Sequence, residues 1–558
     1  MESKIDSVTL SVLWKRLIAV SEEMGTTLRS TAYSVAVREG DDFSTGLFDA
    51  RGRLVAQGNF NPGHTGAMPS VVSEIMRYHS RDDMQPGDIL ICNDSAIGSG
   101  HFPDIFMVSP VHLADKLIGF VVSIAHHVDV GGPSPGSQEV LKANSAVYEG
   151  LRILPVHFAN AGKTNPDIVR MITANVRFPE QVKGDLEAQK SANEKGISRF
   201  VELVEVYGEM QLEAAFDEII NRSKAETQQQ IRKVPNGTYS FSDRFDDFGP
   251  GTEPIEIAVS VIVEDESITV DFDGTSKQVP TALNCYYNFT AAYARFAIRV
   301  AIGALHPQNS GSIEPIRVRA EEGSFVNARY PAPSGGRAIC QIRLFEVIHG
   351  ALSEAVPGRT LAGFSHWSNP NISFYNQETG EQSICYDLIF GGFGATRSRD
   401  GTEGMSPVIN CSNVPIEIQE AQSPLLYRYF GFMADTGGQG QYRGGLGVRK
   451  DVEFRGKTGI ATLLGDRHLF RPFGIRGGDH GMPAKTTLHR GEDILNLNSK
   501  QTIDLEFGDV LSFQLSGGGG YGDPAERDAR LRKRDIEEGY VTATSSVESE
   551  SSRQTESA

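Results

Sequence analysis

Two polar clusters decide the reading of this chain. The first runs Cys92-Asn93-Asp94-Ser95-Ala96-Ile97-Gly98-Ser99-Gly100-His101-Phe102-Pro103-Asp104, and the second Ala125-His126-His127-Val128-Asp129-Val130-Gly131-Gly132. Between them lies Leu117-Ile118-Gly119-Phe120-Val121-Val122-Ser123-Ile124, an apolar run of strand length. Imidazoles and carboxylates at strand ends, among glycines that let backbone come close, are the donor set of a divalent metal site. His101 and Asp104 stand three apart across Pro103, so they meet on a tight turn rather than a helix. Adjacent residues of a pleated strand face opposite sides, so only one of His126 and His127 reaches a shared site. The other stands behind it. Asp42, opening the strand Phe43 to Phe48 after the turn Glu39-Gly40-Asp41, is a candidate fourth oxygen donor. The competing reading of the same residues is a hydrogen-bonded His/Asp network that ties two loops together.

Outward from this stretch, the pattern predicts a mixed α/β (α+β) protein of several structural units. Ser7 to Ser30 has leucines at helical spacing, and a strand-rich block follows from Tyr33 to Gln57. Pro69 to Tyr78 suits a short helix. Residues 1–160 form the expected metal-site region and 161–235 a helical segment. Residues 236–523 form a β-rich α/β region with glycine turns, and 524–558 a charged, largely disordered tail. Within that tail Arg527 to Glu538 suits a surface helix, whereas Thr542 to Ala558 has almost nothing to bury. Tyr287 to Leu305 reads as a further helix.

Composition narrows the function classes. A net charge of −18 over 558 residues argues against general nucleic-acid binding. No stretch reaches the ~20 apolar residues of a membrane helix. Met1 to Asp6 lacks the basic-then-apolar order of a signal peptide, and the five cysteines form no CxxC pair. Both features lead us to expect a cytoplasmic chain with reduced thiols. Cys92 is expected to be an inert buried thiol. The runs Asp435-Thr436-Gly437-Gly438-Gln439-Gly440 and Ser516 to Asp523 lack the Gly-Lys-Ser/Thr of a Walker loop, and tight turns account for them better. His64, in Asn61-Pro62-Gly63-His64-Thr65-Gly66, suits a pocket wall or a turn equally.

Taken in order, these motifs are recognisable. Asp42-Phe43-Ser44, Pro62-Gly63-His64, Asn93-Asp94, Gly100-His101-Phe102-Pro103-Asp104 and Ala125 to Gly132 are joined by Asp273-Gly274-Thr275-Ser276, Gly391-Gly392, Arg443-Gly444-Gly445-Leu446-Gly447 and Gly517 to Asp523. From Ile5 to Asp523 the chain resembles the hydantoinase B/oxoprolinase family: B-type subunits of N-methylhydantoinases, the matching region of 5-oxoprolinases, and related acetone and acetophenone carboxylase subunits. The resemblance implies a metal-bearing subunit of an ATP-dependent hydrolase that opens a cyclic amide, such as 5-oxoproline or a hydantoin. Zinc, manganese or iron would be held by Asp42, His101, Asp104 and His126, with Asp41 and His127 as the neighbouring alternatives. His127 and Asp129 would orient the site from behind. ATP would be bound by a separate A-type partner, because the Asp-Gly-Gly-Thr phosphate signature of that type is absent, and the expected assembly is a hetero-oligomer. The alternatives are a subunit of an ATP-dependent ketone carboxylase and a non-catalytic scaffold subunit.

Overall fold

The computed structural model describes residues 5–375, 382–409, 411 and 413–542. Among them are eleven α-helices and five mostly antiparallel sheets, an α+β fold. The chain forms two compact units. The first takes Met1–Tyr239, Ala258–Phe345 and Val408–Val414, and the second the remainder.

The first unit is built on seven strands: β1 (Phe43–Asp49), β2 (Leu54–Gln57), β3 (Ile89–Cys92), β4 (Asp104–Leu113), β5 (Lys116–His126), β6 (Val156–Asn160) and β7 (Lys163–Thr164). Their order across the sheet is β2-β1-β5-β4-β3-β6-β7. The helices are α1 (Ser7–Thr31), α2 (Val35–Arg38), α3 (Pro62–Tyr78), α4 (Pro166–Thr173), α5 (Pro179–Tyr207), α6 (Glu209–Ile231) and α7 (Tyr287–Ile302). Side chains alternate across the sheet, and each face has its own core. Phe43, Leu47, Val121 and Ala125 pack with Leu13, Leu17 and Met24 of α1 and Phe200 of α5. Phe48, Phe106, Phe120, Val122 and Ile124 pack instead with Met68, Val71 and Ile75 of α3.

That parity positions the polar residues. Counting in twos from Phe48, Phe106 and Ile124 brings Ser44, Asp104 and His126 to the α3 face. His127 falls on the α5 face.

Two local expectations are altered. The strand expected from Tyr33 becomes at Val35–Arg38 one helical turn, with the Ser34 side chain accepting from Val37 N at 3.3 Å. The helix expected from Pro69 begins at Pro62, because the Asn61 side chain caps Gly63 N at 3.0 Å and Pro62 fits the first helical position. Pro69 lies inside it. The helical segment expected over 161–235 contains α4, α5 and α6, the last two separated at Gly208, whose φ is 81°.

In the second unit, a five-stranded antiparallel sheet (Leu425–Met433, Gly447–Phe454, Val510–Gln514, Lys485–Arg490, Asp493–Leu497) shares a core with a four-stranded one containing Asn371–Tyr375 and Thr458–Leu464. Its glycine runs bring backbones together. Gly438 N donates to Gly518 O and Gly518 N to Gly445 O, both at 2.9 Å. A Cβ on Gly518 would lie 2.1 Å from Phe393 O. A helix at Ala529–Glu537 follows Arg527, whose guanidinium bonds Asp400 and Asp535. The disorder expected of Thr542 to Ala558 falls, beyond Thr542, outside the described residues. No helix among the described residues is long and apolar enough to cross a membrane.

Candidate metal centre

Five segments of the first unit converge on Asp104. It is the first residue of β4 and pairs directly with His126, the last residue of β5. Asp42 immediately precedes β1, and its carbonyl accepts from His126 N at 3.0 Å. Asp41, at φ 55°, turns the chain into that position. Gly100, at φ 94°, delivers His101 into the turn before β4. His64 comes from the first turn of α3, and Arg337 from a short 3-10 turn far down the chain.

Asp104 Oδ1 lies 2.9 Å from His101 Nε2 and 3.0 Å from His126 Nδ1. Asp104 Oδ2 accepts from Ser99 Oγ and Arg337 Nη2 and stands 3.4 Å from His64 Nε2. Asp42 closes the cluster, with Oδ2 4.0 Å from His126 Nδ1 and Oδ1 3.7 Å from His64 Nε2. His101, Asp104 and His126 each offer a ligand atom within 4.8 Å of the others. All of these side chains are buried.

Burial, followed by the Arg337 charge, pushes His101 down to about 4, so its imidazole is neutral near pH 7. Burial alone would raise Asp104, but its contacts with His101, His64 and the Arg337 guanidinium outweigh it and hold the carboxyl well below its usual range.

The tautomers bear on what the cluster can hold. Gly335 O lies 3.0 Å from His101 Nδ1, and a carbonyl only accepts, so Nδ1 carries the hydrogen. Nε2 then turns a lone pair towards Asp104 Oδ1, and it is buried without a hydrogen-bond partner. Two lone pairs facing each other are unfavourable unless a cation lies between them. On the far side, Gln138 Nε2 stands 3.1 Å from His126 Nε2, while Gln138 Oε1 is buried without a partner. His126 Nδ1 stands 3.0 Å from Asp104 Oδ1, to which it donates as placed; turning the Gln138 amide over would let Oε1 accept from His126 Nε2–H and open the Nδ1 lone pair to an ion. Two imidazoles, two carboxylates and carbonyl or amide groups behind the rings fit a divalent ion of borderline softness.

The other sequence candidates are placed apart. Asp41 Oδ1 is 3.2 Å from Arg29 Nη1. His127 faces α5, with Nε2 3.0 Å from Gln189 Oε1, and its backbone N–H donates to Pro103 O at 2.8 Å. Asp129 accepts from Arg177 N at 2.7 Å and Arg177 Nη1 at 2.8 Å, tying the loop after β5 to the segment before α5. Burial pushes the Cys92 thiol up to about 12, consistent with an inert core residue.

Sequence reasoning did not place Arg337, Ser99 or Gln138 in the site, and it left His64 undecided. A usable signal existed for His64. Asn61-Pro62 is a helix start, which puts His64 in a first turn beside the strand of Ser44, and Ser44 Oγ stands 3.3 Å from His64 Nδ1. Arg337 has no local signal.

Comparison with known proteins agrees with this architecture. The chain is 30% identical over 558 residues to a protein of Pseudomonas sp. (strain NS671) provisionally named as the B-type component of a D-/L-hydantoinase, covering 97% of this chain and 94% of that one. The crystal structure of ATP-dependent caprolactamase from Pseudomonas jessenii superposes with a TM-score of 0.90 at 26% identity, covering 97% of this chain and 95% of that one. A nucleotide-free acetone carboxylase structure shares the fold, with a TM-score of 0.88 at 20% identity over 97% and 78% of the two chains. The family model for hydantoinase B/oxoprolinase matches residues 6–524, and the chain belongs to that family.

Proposed function

We propose that this chain is the metal-bearing B-type subunit of an ATP-dependent amidohydrolase that opens a cyclic amide, with a separate A-type subunit supplying the phosphoryl transfer. One observation supports it above the rest: the buried, unpartnered His101 Nε2 faces a carboxylate inside a cluster of imidazoles and acids. The names of similar proteins, a B-type hydantoinase component and a caprolactamase, point to cyclic amides as the substrate class.

A lactam resists water because its amide is resonance-stabilised. Phosphorylation of the carbonyl oxygen by the partner removes that resonance and leaves a carbon open to attack by water. Asp42, His101, Asp104 and His126 would hold the divalent ion. That ion supplies Lewis acidity and lowers the pKa of the water it binds. Arg337 and Ser99 fix the Asp104 carboxylate, and Gly335 O and Gln138 fix the two rings. His64 Nε2, between the two carboxylates, is placed to hold a proton there. His127 and Asp129 act as positioning residues, since they tie the loops before β4 and after β5 to each other and to the segment before α5.

The test is to co-express the chain with an A-type subunit and measure ATP hydrolysis against lactams, hydantoins and ketones, with and without bicarbonate. Ring opening of a lactam or hydantoin coupled to ATP hydrolysis, and independent of bicarbonate, is expected. Ketone loss that requires bicarbonate would instead place the chain in a carboxylase. A purified complex without metal or turnover would make it a scaffold.

A further inference from the structure

The first unit contains a cavity of about 320 Å³ between the loop after β2 and the C-terminal end of α7. That volume lies in the range of small-ligand pockets. Its wall is apolar at Phe60, Pro62 and Phe296 and polar at Arg299, His306 and Gln308, and no Asp or Glu lines it.

Arg299 sets its character. The residue is 7% exposed. Nη1 donates to Gln308 Oε1 and Nη2 to Ala304 O, both at 3.1 Å, and Nη2 also donates to His306 O. Nε is buried without a partner. These acceptors are all neutral. Glu226 acts on Arg299 only through space, and its Oε1 is 3.4 Å from His306 Nδ1. The buried guanidiniums of Arg337, Arg467 and Arg527 differ in kind, for each touches a carboxylate: Asp104, Glu346 and Asp400. Burial pushes Arg299 down to about 10, which still leaves it charged near pH 7. A buried cation without a contacting anion is costly, and an anion at the cavity wall would relieve that cost.

We propose that this cavity binds a small organic carboxylate, with its apolar body against Phe60 and Phe296 and its charge towards Arg299. This site is separate from the metal cluster but shares α3 with it. Pro62 and Thr65 face the cavity, and His64 of the same turn faces Asp104. The inference does not depend on the metal or on the reaction proposed above.

Calorimetry on the full chain, stripped of metal, would use hexanoate, its neutral isostere hexanamide, and inorganic phosphate as probes. Saturable binding of one hexanoate per chain is expected, with hexanamide and phosphate at least tenfold weaker. Arg299→Gln should abolish hexanoate binding. Because Arg299 also braces residues 304–308, Asn59→Asp serves as a second variant. Asn59 is an exposed residue of the cavity wall, and a carboxylate there should weaken hexanoate about tenfold by like-charge repulsion, with the melting temperature unchanged. Absence of hexanoate binding, equal binding of hexanamide or phosphate, or an unchanged affinity in Asn59→Asp would each overturn the assignment.

Discussion

At the scale of single residues, Asp104 does two jobs that substitution can separate. It is a candidate ligand, and it is also the counter-ion of Arg337, which is 4% exposed. Removing His101 deletes a neutral ring. Removing Asp104 leaves a guanidinium buried without its carboxylate, a loss of about 3–5 kcal/mol. Both His101→Ala and Asp104→Ala should therefore lack stoichiometric metal by elemental analysis, but only the second should show a large drop in urea-unfolding stability. Full metal occupancy in both would remove the metal reading.

Glu149 offers a separate test by pH. It is 4% exposed, accepts from Ser334 N at 2.7 Å and from Gly335 N, and so braces the loop whose Gly335 carbonyl orients His101. Burial pushes its carboxyl from 4.5 up to about 8, against the two N–H groups that favour the anion. The folded chain thus keeps a proton that the unfolded chain releases above about 4.5, and folding stability falls as pH rises from there to about 8. Glu149→Gln keeps the accepting oxygen and removes the proton. It should match the wild type near pH 5 and exceed it by a few kcal/mol near pH 8 in denaturant unfolding. Equal margins at both pH values would show that Glu149 is already ionised in the folded chain.

Among elements, what sequence conveys depends on periodicity. Strand β5 was readable, because its apolar run is continuous and polar clusters lie before and after it. Period-two alternation also fixed that one of His126 and His127 points away, although which of them could not be decided without the α3 and α5 cores. Once Phe120, Val122 and Ile124 are seen against α3, His126 follows. The start of α3 was hidden, since Gly63, Gly66 and Pro69 lower helix propensity, whereas capping by Asn61 and burial of Met68, Val71 and Ile75 override it. The same override explains the turn at Val35–Arg38, where β-branched residues suggested a strand. Arg337 was unreadable for a different reason. Its pairing with Asp104 spans 233 positions, and nothing near it in the chain signals a carboxylate.

For the whole molecule, composition separated a globular body from a charged end, but it weighed charge only as a tendency to stay solvated. In the second unit those charges are used for packing. Arg527, 6% exposed, bonds both oxygens of Asp400 and also Asp535, and Asp535 lies 3.7 Å from Arg443, itself 1% exposed. Asp435 N donates to Tyr540 O at 3.0 Å, and the Tyr540 ring lies 5.0 Å from the Arg443 guanidinium. Truncation after Asp523 would remove Arg527 and Asp535 together and leave Asp400 without Arg527 and Arg443 without Asp535. Breaking such a buried network costs about 3–5 kcal/mol, or roughly 6–20 °C in the melting temperature of a unit this size. Removal of residues 543–558 takes away mostly serine, threonine and glutamate with little to bury, and should leave the melting temperature unchanged. Calorimetric melts of the two truncations against the full chain decide the point. If the truncation after Asp523 melts with the wild type, the network around Arg527 contributes nothing to stability. If the shorter deletion lowers the midpoint by several degrees, the last residues pack in spite of their composition.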